Sequence, residues 1–197
     1  GDYKMKELTS KNLLSLEDYE KGREQIKSDL LLHKKNRSIT IGENILLLFE
    51  DFDTIKYQVH EMLRIEKISK ESDINEEISA YTSLIPDGDN LKATMLIMYP
   101  DVEERRVMLK KLHDLENNIY LCIDNGKRIF AVSDEDLERT RDQKTSAVHF
   151  LRFQLDSSSI EKFKSSDNII FGAAHDSYSS HIKIDSETKS ALSSDLE

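Results

Sequence analysis

Residues 119–132 read IYLCIDNGKRIFAV, in which two apolar runs flank the pair Asn125-Gly126. An Asn-Gly pair suits the type I′ turn, because both of its residues tolerate the positive φ angles that this turn requires. The apolar runs at 119–123 and 128–132 have the composition of strands. The sequence therefore predicts an antiparallel β-hairpin here, and this is the clearest local signal in the chain.

Further strands are predicted on both sides of this hairpin. Residues 39–41 and 45–49 flank Gly42-Glu43-Asn44 and read as a second hairpin with a short loop. Residues 91–99 are apolar on both faces, which favours a central strand in a sheet that is covered on both sides. Two more strands are predicted at 146–155 and 168–174.

Helices are predicted between these strands from the spacing of apolar residues. The first runs over about 15–36, with the Ser15 hydroxyl as its cap, and the second over about 53–68. Others are predicted at 74–81 and 101–115, from Ser133, from Ser158, and at 186–196. Hairpins mixed with helices and one candidate βαβ unit indicate an α+β fold, with a mixed, mainly antiparallel sheet and helices packed on it.

Length and composition predict one cytoplasmic domain over residues 1–197, with 1–8 and about 186–197 at its periphery. The 197 residues are 38% hydrophobic and 34% charged, which is enough apolar material for a sizeable core. The net charge of −10 argues against binding to nucleic-acid backbones or anionic membranes. No apolar run approaches the roughly 20 residues that span a bilayer, and no signal peptide is expected. Oligomerisation is left open.

Several familiar catalytic and cofactor motifs are missing. The six glycines are isolated, so neither a GxGxxG nor a GxxxxGK[ST] loop is present to cradle a nucleotide. Cys122 is the one cysteine, which excludes a site built from several thiolates. His60-Glu61 begins like an HExxH zinc motif, but Arg64 stands where the second histidine is needed. No nucleotide cofactor is predicted, and a divalent metal is the cofactor left open.

The helix predicted at 53–68 carries the candidate catalytic residues. A turn of 100° per residue places Glu66 within the apolar stripe, so this carboxylate is expected to point into the core. Tyr57, Glu61 and Arg64 cluster on the opposite side, and His60 falls on a solvated strip. The four groups Tyr57, Glu61, Arg64 and Glu66 are able to hold a metal, orient an anion or move protons. An ion-pair network that fastens the helix to its neighbours is the alternative.

Two histidines add candidate metal ligands. Strand alternation puts His149 on the core-facing side, where it is either a hydrogen-bonded core residue or, with Glu66 nearby, a ligand. His175 follows a strand end and precedes Asp176, which is a common place for function. The candidate metal ligands are Glu66, His149 and His175, and a solvated loop histidine is the alternative for His175.

Six short motifs are spread along the chain, followed by His175 and Tyr178. They lie at 48–50 (LFE), 57–58 (YQ), 61–66 (EMLRIE), 84–87 (LIPD), 91–94 (LKAT) and 146–150 (SAVHF). Over about residues 5–196 this pattern resembles an uncharacterised bacterial family, domain of unknown function 3501 (DUF3501). Glutamine usually precedes Glu61 in that family, so His60 is a departure and is not expected as a shared catalytic group. The resemblance implies no assigned activity. It implies companions of rubrerythrin-like and iron–sulfur oxidoreductase type.

Two functions follow as hypotheses, and the sequence does not decide whether the protein is an enzyme. The first is an accessory protein that binds a partner in a redox or metal-related system; the resemblance implies a rubrerythrin-like or iron–sulfur oxidoreductase partner. The absence of nucleotide and nucleophile motifs motivates it. The second is a small metal-binding protein or enzyme whose inward-facing cluster is drawn from Glu61, Arg64, Glu66, His149 and His175.

Overall fold

A computed structural model describes residues 6–135 and 146–197 of the chain, and it confirms the α+β class. The helices in these residues are α1 (Leu16–Lys35), α2 (Phe52–Glu66), α3 (Glu71–Tyr81), α4 (Val102–Lys111), α5 (Ser157–Ser165) and α6 (Ser186–Ser193). The strands are β1 (Ser38–Ile41), β2 (Ile45–Glu50), β3 (Asn90–Ile97), β4 (Ile119–Ile123), β5 (Ile129–Phe130), β6 (Val132–Ser133), β7 (Val148–Gln154), β8 (Ile169–His175) and β9 (Tyr178–Lys183). Among the described helices, none combines the length and the apolarity needed to cross a membrane.

The strands form two sheets, where the sequence predicted one. The first has the order β1-β2-β3-β7-β6, and the second has the order β5-β4-β8-β9. As predicted, β3 is the central strand of the larger sheet. Every ladder between the described strands is antiparallel, so the candidate βαβ unit is not formed. The reason is that α4 carries the chain from β3 in one sheet to β4 in the other.

The two sheets pack face to face around an aromatic centre. The ring of Phe171 from β8 lies 5.1 Å from Phe49 of β2 and 5.3 Å from Phe153 of β7, centroid to centroid. All three side chains are almost completely buried. This packing removes the apolar inner face of each sheet from water. Burial of both faces therefore favours two stacked sheets, with β3 and β4, the strands before and after α4, in different sheets. A second apolar cluster joins α2 and α3 through Ile55, Val59, Leu63, Ile78 and Ile85, with Leu8 against them.

The hairpin predicted from Asn125-Gly126 is present, but its turn lies one residue earlier. Asp124 and Asn125 have φ angles of 51° and 57°, and the Gly126 amide donates to the Ile123 carbonyl at 2.9 Å. The positive φ angles of the turn therefore fall on Asp-Asn and not on Asn-Gly. After the short strand β5, the chain crosses to the other sheet as β6. Ser133, predicted to begin a helix, lies in β6, and residues 136–145 of that predicted helix lie outside the described residues.

The C-terminal segment is not peripheral, contrary to expectation. Leu192 and Leu196 are buried in the main core. Asp195 accepts two hydrogen bonds from the buried guanidinium of Arg37, at 2.9 and 2.7 Å. The serine-rich composition of this segment hid these contacts, because their partner lies far away in the sequence.

Candidate functional site

Glu61, one of the predicted catalytic residues, lies at the centre of a network between α1 and α2. Arg23 binds both carboxylate oxygens, at 3.0 and 2.8 Å, and the Tyr19 hydroxyl donates at 2.7 Å. Tyr57, also predicted, donates a longer hydrogen bond of 3.4 Å. The hydrogen bonds from Arg23 and then Tyr19 lower the pKa of Glu61 to about 2. Burial, and then the bond to Glu61, raise the pKa of Tyr19. Tyr19 and Arg23 escaped sequence reasoning because they belong to another helix.

Arg64 and Glu66 lie further along α2 and do not join this network through hydrogen bonds. Arg64 donates to Glu20 at 2.7 Å on the surface, whereas Glu66 is exposed. The prediction that Glu66 points into the core is therefore wrong. Its rotation about the helix axis is suitable, but α2 ends at this residue and the left-handed Lys67 follows. The buried residues of α2 end one turn earlier, at Thr54, Ile55, Val59, His60 and Leu63.

His60, predicted on a solvated strip, is buried because α1 covers that side of α2. Its ring stacks on Tyr19, with centroids 4.5 Å apart and planes inclined by 9°. Its Nε2 accepts a hydrogen bond from the Leu14 amide at 3.0 Å. Burial lowers the pKa of His60 to about 4, so the imidazole is neutral near pH 7.

His149 points into the core, as the strand alternation predicts. Its Nε2 donates to the Ser146 carbonyl at 2.8 Å, and its Nδ1 lies 2.6 Å from Asp134 Oδ2. The buried carboxylate of Glu116 is 3.9 Å from Nε2. Both ring nitrogens are thus engaged with oxygen atoms of the protein, which is the arrangement of a satisfied core histidine.

His175, at the end of β8, is also engaged on both sides of its ring. Its Nε2 donates to the His113 carbonyl at 2.7 Å, and its Nδ1 accepts from the Ser177 amide at 3.0 Å. Among the described residues, Glu66, His149 and His175 do not form a group with ligand atoms near one another. The structure thus does not bring the three candidate metal ligands together into one site.

A cleft of about 1060 Å³ lies on the outer face of the five-stranded sheet. Its floor is formed by β3 and β7, which alternate inward apolar residues with outward Lys92, Phe150 and Arg152. One wall comes from α3 and the turn that follows it, and the other from the residues after β6. The cleft is lined by charged groups from both walls and the floor: Glu50, Glu77, Asp87, Asp89, Lys92, Asp134, Glu135 and Arg152.

The two cations of the cleft are already paired with groups of the lining. Lys92 donates to the Ser83 carbonyl at 2.6 Å and lies 3.0 Å from Asp87. Arg152 binds both carboxylate oxygens of Glu135, at 3.0 and 2.7 Å. The positive charge of each is therefore balanced within the protein.

Glu50 is the most buried carboxylate among the described lining residues, and Lys92 stands opposite it on β3 without forming an ion pair with it. Only 8% of the residue is exposed, and its two oxygens accept from the hydroxyls of Thr54 at 2.5 Å and Thr94 at 2.8 Å. In residues 6–135 and 146–197, no side-chain nitrogen of a lysine or arginine lies within 4 Å of a carboxylate oxygen of Glu50, Glu77 or Asp89. Sequence reasoning overlooked Glu50, although a charge that closes an apolar strand was a signal available at 45–50.

Comparison with known proteins gives a family and a close structural relative. The family model described as "Protein of unknown function (DUF3501)" matches residues 7–196. The chain belongs to the DUF3501 family. It is similar to a "novel protein of unknown function" from Burkholderia pseudomallei K96243, solved by crystallography, with 44% identity and a TM-score of 0.91 over 96% of this chain and 99% of that chain. No curated protein matches the chain. The predicted resemblance to DUF3501 is thus confirmed, and neither match names an activity.

Proposed function

We propose that this DUF3501 protein is a non-catalytic accessory protein whose cleft binds a basic segment of a partner protein. The observation that carries the proposal is the charge of the cleft. Among the described residues of the lining, six carboxylates face two cations, and both cations are paired with carboxylates of the lining. A basic segment would supply the missing positive charge, and the net charge of −10 would steer it towards the protein.

The size and lining of the cleft favour a protein segment over a small molecule. Small-molecule pockets measure roughly 300–1,000 Å³ and are lined mainly by apolar and aromatic side chains. This cleft, at about 1060 Å³, lies slightly above that range, and its described lining consists largely of charged and polar groups. The half-buried ring of Tyr81 offers a face on which a lysine or arginine of the segment can rest.

The alternative, an enzyme or metal protein built on the predicted polar cluster, has less support. A general acid or base acts best with a pKa near the working pH, whereas the pKa of Glu61 is lowered to about 2. Its carboxylate accepts hydrogen bonds from Arg23 and Tyr19, which is the arrangement expected of an ion-pair network that holds α2 against α1.

The identity of the partner belongs to the proposal as well. The resemblance implies a rubrerythrin-like or iron–sulfur oxidoreductase protein of the cytoplasm, and the basic segment is assigned to such a partner. Apart from the resemblance, this assignment is supported by the acidic lining of the cleft, which is complementary to a basic surface on the partner.

The test is calorimetric titration with a lysine-rich peptide, with a glutamate-rich peptide of equal length as the negative probe. Wild type is expected to bind the lysine-rich peptide, and Glu77→Gln/Asp89→Asn to bind it about tenfold more weakly, a loss of about 1.4 kcal/mol. The control Glu161→Gln/Asp176→Asn changes the net charge equally at exposed sites outside the cleft. It should bind like wild type.

Two results would contradict the proposal. Equal weakening in both double variants would mean attraction to the overall negative charge and not to the cleft. If wild type does not bind the lysine-rich peptide even at low salt, the cleft is not a binding site for a basic segment. A positive result would justify titration of purified rubrerythrin-like and iron–sulfur proteins against the same variants.

A further inference from the structure

A second group of polar side chains, separate from the cleft, meets where α1 ends and α2 begins. The hydrogen bond from the Phe49 amide to the Arg37 carbonyl, 2.8 Å, holds the end of β2 beside the chain that leaves α1. This places His33, in the last turn of α1, opposite Asp51 and Asp53 at the start of α2. Ligand atoms of His33, Asp51 and Asp53 all lie within 4.8 Å of one another.

The donor set is mixed, which distinguishes it from a simple acidic patch. One imidazole nitrogen with two carboxylate oxygens is a ligand combination that divalent transition metals such as zinc, cobalt and manganese accept. His33 Nε2 and Asp51 Oδ2 are already 2.6 Å apart and share one hydrogen bond. A metal ion that replaces the shared proton would be bound by His33 Nε2 and Asp51 Oδ2, and a carboxylate oxygen of the exposed Asp53 would be the third ligand.

The surrounding charges leave the group short of positive charge. Arg37 is the buried cation at this place, and its Nη atoms are committed to Asp195. Its Nε is 3.2 Å from Asp51 Oδ2 but makes no hydrogen bond. The carboxylates of Asp51, Asp53 and Asp195 therefore face one guanidinium, a formal excess of two negative charges when His33 is neutral. Two further charged residues of the described cavity lining, Asp29 and Lys56, are of opposite sign and offset each other in this count. The negative end of the α1 dipole opposes the positive end of the α2 dipole, so the helix termini largely offset each other.

An open pocket gives access to the group. A cavity of about 440 Å³ between α1 and α2 is lined by His33 and Asp53, together with Tyr57 and His60. Three protein ligands leave further coordination positions of a metal free, and this cavity has room for the water molecules that would fill them. Asp51 can take part without losing its cap of α2, because it accepts from the Thr54 amide through Oδ1 and faces His33 through Oδ2.

We infer that His33, Asp51 and Asp53 form a binding site for one divalent transition-metal ion, open to solvent through the cavity between α1 and α2. The site uses none of the metal ligands that the sequence predicted, and it does not depend on the proposed role of the cleft. Sequence reasoning passed over it because residue 33 and residues 51–53 belong to different helices, and because a basic run at 33–37 reads as a complement to the helix dipole.

The experiment is calorimetric titration of chelator-treated protein with Zn²⁺, accompanied by the visible absorption of Co²⁺, which reports on coordination. Wild type is expected to bind one equivalent of each ion. His33→Gln and Asp53→Asn should each weaken binding at least tenfold and abolish the cobalt bands. Both residues are at least one-third exposed, so the variants should fold, which circular dichroism would verify.

His181→Gln and Asp176→Asn are the matched controls, because they remove an exposed histidine and an exposed aspartate elsewhere. They should bind both metals like wild type. Asp51→Asn keeps a residue that caps helices well and should still weaken binding, which separates loss of a ligand from loss of the cap. Wild type without stoichiometric binding, or folded His33→Gln and Asp53→Asn with unchanged affinity, would overturn the site.

Discussion

The carboxylate of Glu61 has a structural role, because both of its oxygens accept hydrogen bonds from α1. Glu61→Gln keeps the size of the side chain but removes the charge that Arg23 and Tyr19 share. We expect a loss of about 1–3 kcal/mol in the free energy of unfolding, because the partly buried guanidinium keeps only a neutral acceptor. Urea denaturation at pH 7 measures this. Glu66→Gln, at the exposed end of the same helix, is the control and should have no measurable effect; equal losses in the two variants would refute the network.

The protonation of His60 should make stability depend on pH. Its pKa is lowered from 6.5 to about 4 in the folded protein, so folding favours the neutral ring. The stabilisation is complete above the unfolded pKa of about 6.5 and is lost as the pH falls towards 4, with about 1–2 kcal/mol gone by pH 5. Glu61 adds a loss at lower pH, from about 4.3 down towards its folded pKa of about 2.

The check is urea unfolding of His60→Gln at pH 7 and pH 5. This variant should be less stable than wild type at pH 7 and should lose less stability on going to pH 5. The exposed His181 serves as a control, since His181→Gln should keep the pH dependence of wild type. If the free energy of unfolding of His60→Gln depends on pH as steeply as that of wild type, groups other than His60 cause the pH dependence.

At the scale of elements, Tyr178 connects the two sheets. It belongs to β9, yet its hydroxyl donates to the Ile41 carbonyl at 2.5 Å and accepts from the Asn44 amide at 3.0 Å, across the β1–β2 turn. Gly42, in the same turn, has a φ of +66°, and an added Cβ would lie 2.5 Å from the tyrosine oxygen. The turn thus needs glycine both for its backbone and for the room that Tyr178 takes.

A double-mutant cycle should reveal this coupling. Tyr178→Phe leaves an amide and a carbonyl of the turn without their partner and should cost about 1–3 kcal/mol. Gly42→Ala should cost about 1–2 kcal/mol for the left-handed backbone, with a further cost for the clash. Because phenylalanine lacks the clashing oxygen, the double variant should lose less than the sum of the two, measured by urea denaturation. Additivity within about 0.5 kcal/mol would mean that the two residues do not interact.

At the scale of the whole molecule, the buried pair of Arg37 and Asp195 ties the C-terminal segment to the start of the larger sheet. Asp195→Ala removes the carboxylate that binds both Nη atoms of the buried guanidinium, which keeps the Ala191 carbonyl and the nearby Asp51. The loss in denaturation experiments should be about 3 kcal/mol, the lower end of the cost of breaking a buried ion pair. Protease should then cut first within the C-terminal segment. Asp167→Ala removes an exposed aspartate whose distance to Lys189 is 3.8 Å, and it should leave the unfolding midpoint unchanged. A similar midpoint in both variants would show that the segment is held by its apolar residues alone.

The sequence by itself determined most of the elements, because their signals are local, although it did not predict the strands β6 and β9. Ser15 caps α1 by accepting from the Asp18 amide, as its position before an amphipathic run predicts. The doubly apolar 91–99 segment is the central strand of its sheet, and the hairpin at 119–132 forms within one residue of its predicted turn. Each of these depends on residues a few positions apart, whose backbone preferences and side-chain periodicity can be read directly from the chain.

Only the tertiary structure decided what those elements enclose. The partner of Glu61 is 38 residues away, His60 is buried by a helix that its own periodicity cannot register, and Asp195 meets Arg37 across 158 positions. The division into two sheets, the acidic cleft and the meeting of His33 with Asp51 and Asp53 have the same origin. Periodicity shows which face of an element is apolar but not which neighbour covers it, and burial, charge pairing and shared ligands are all properties of that neighbour.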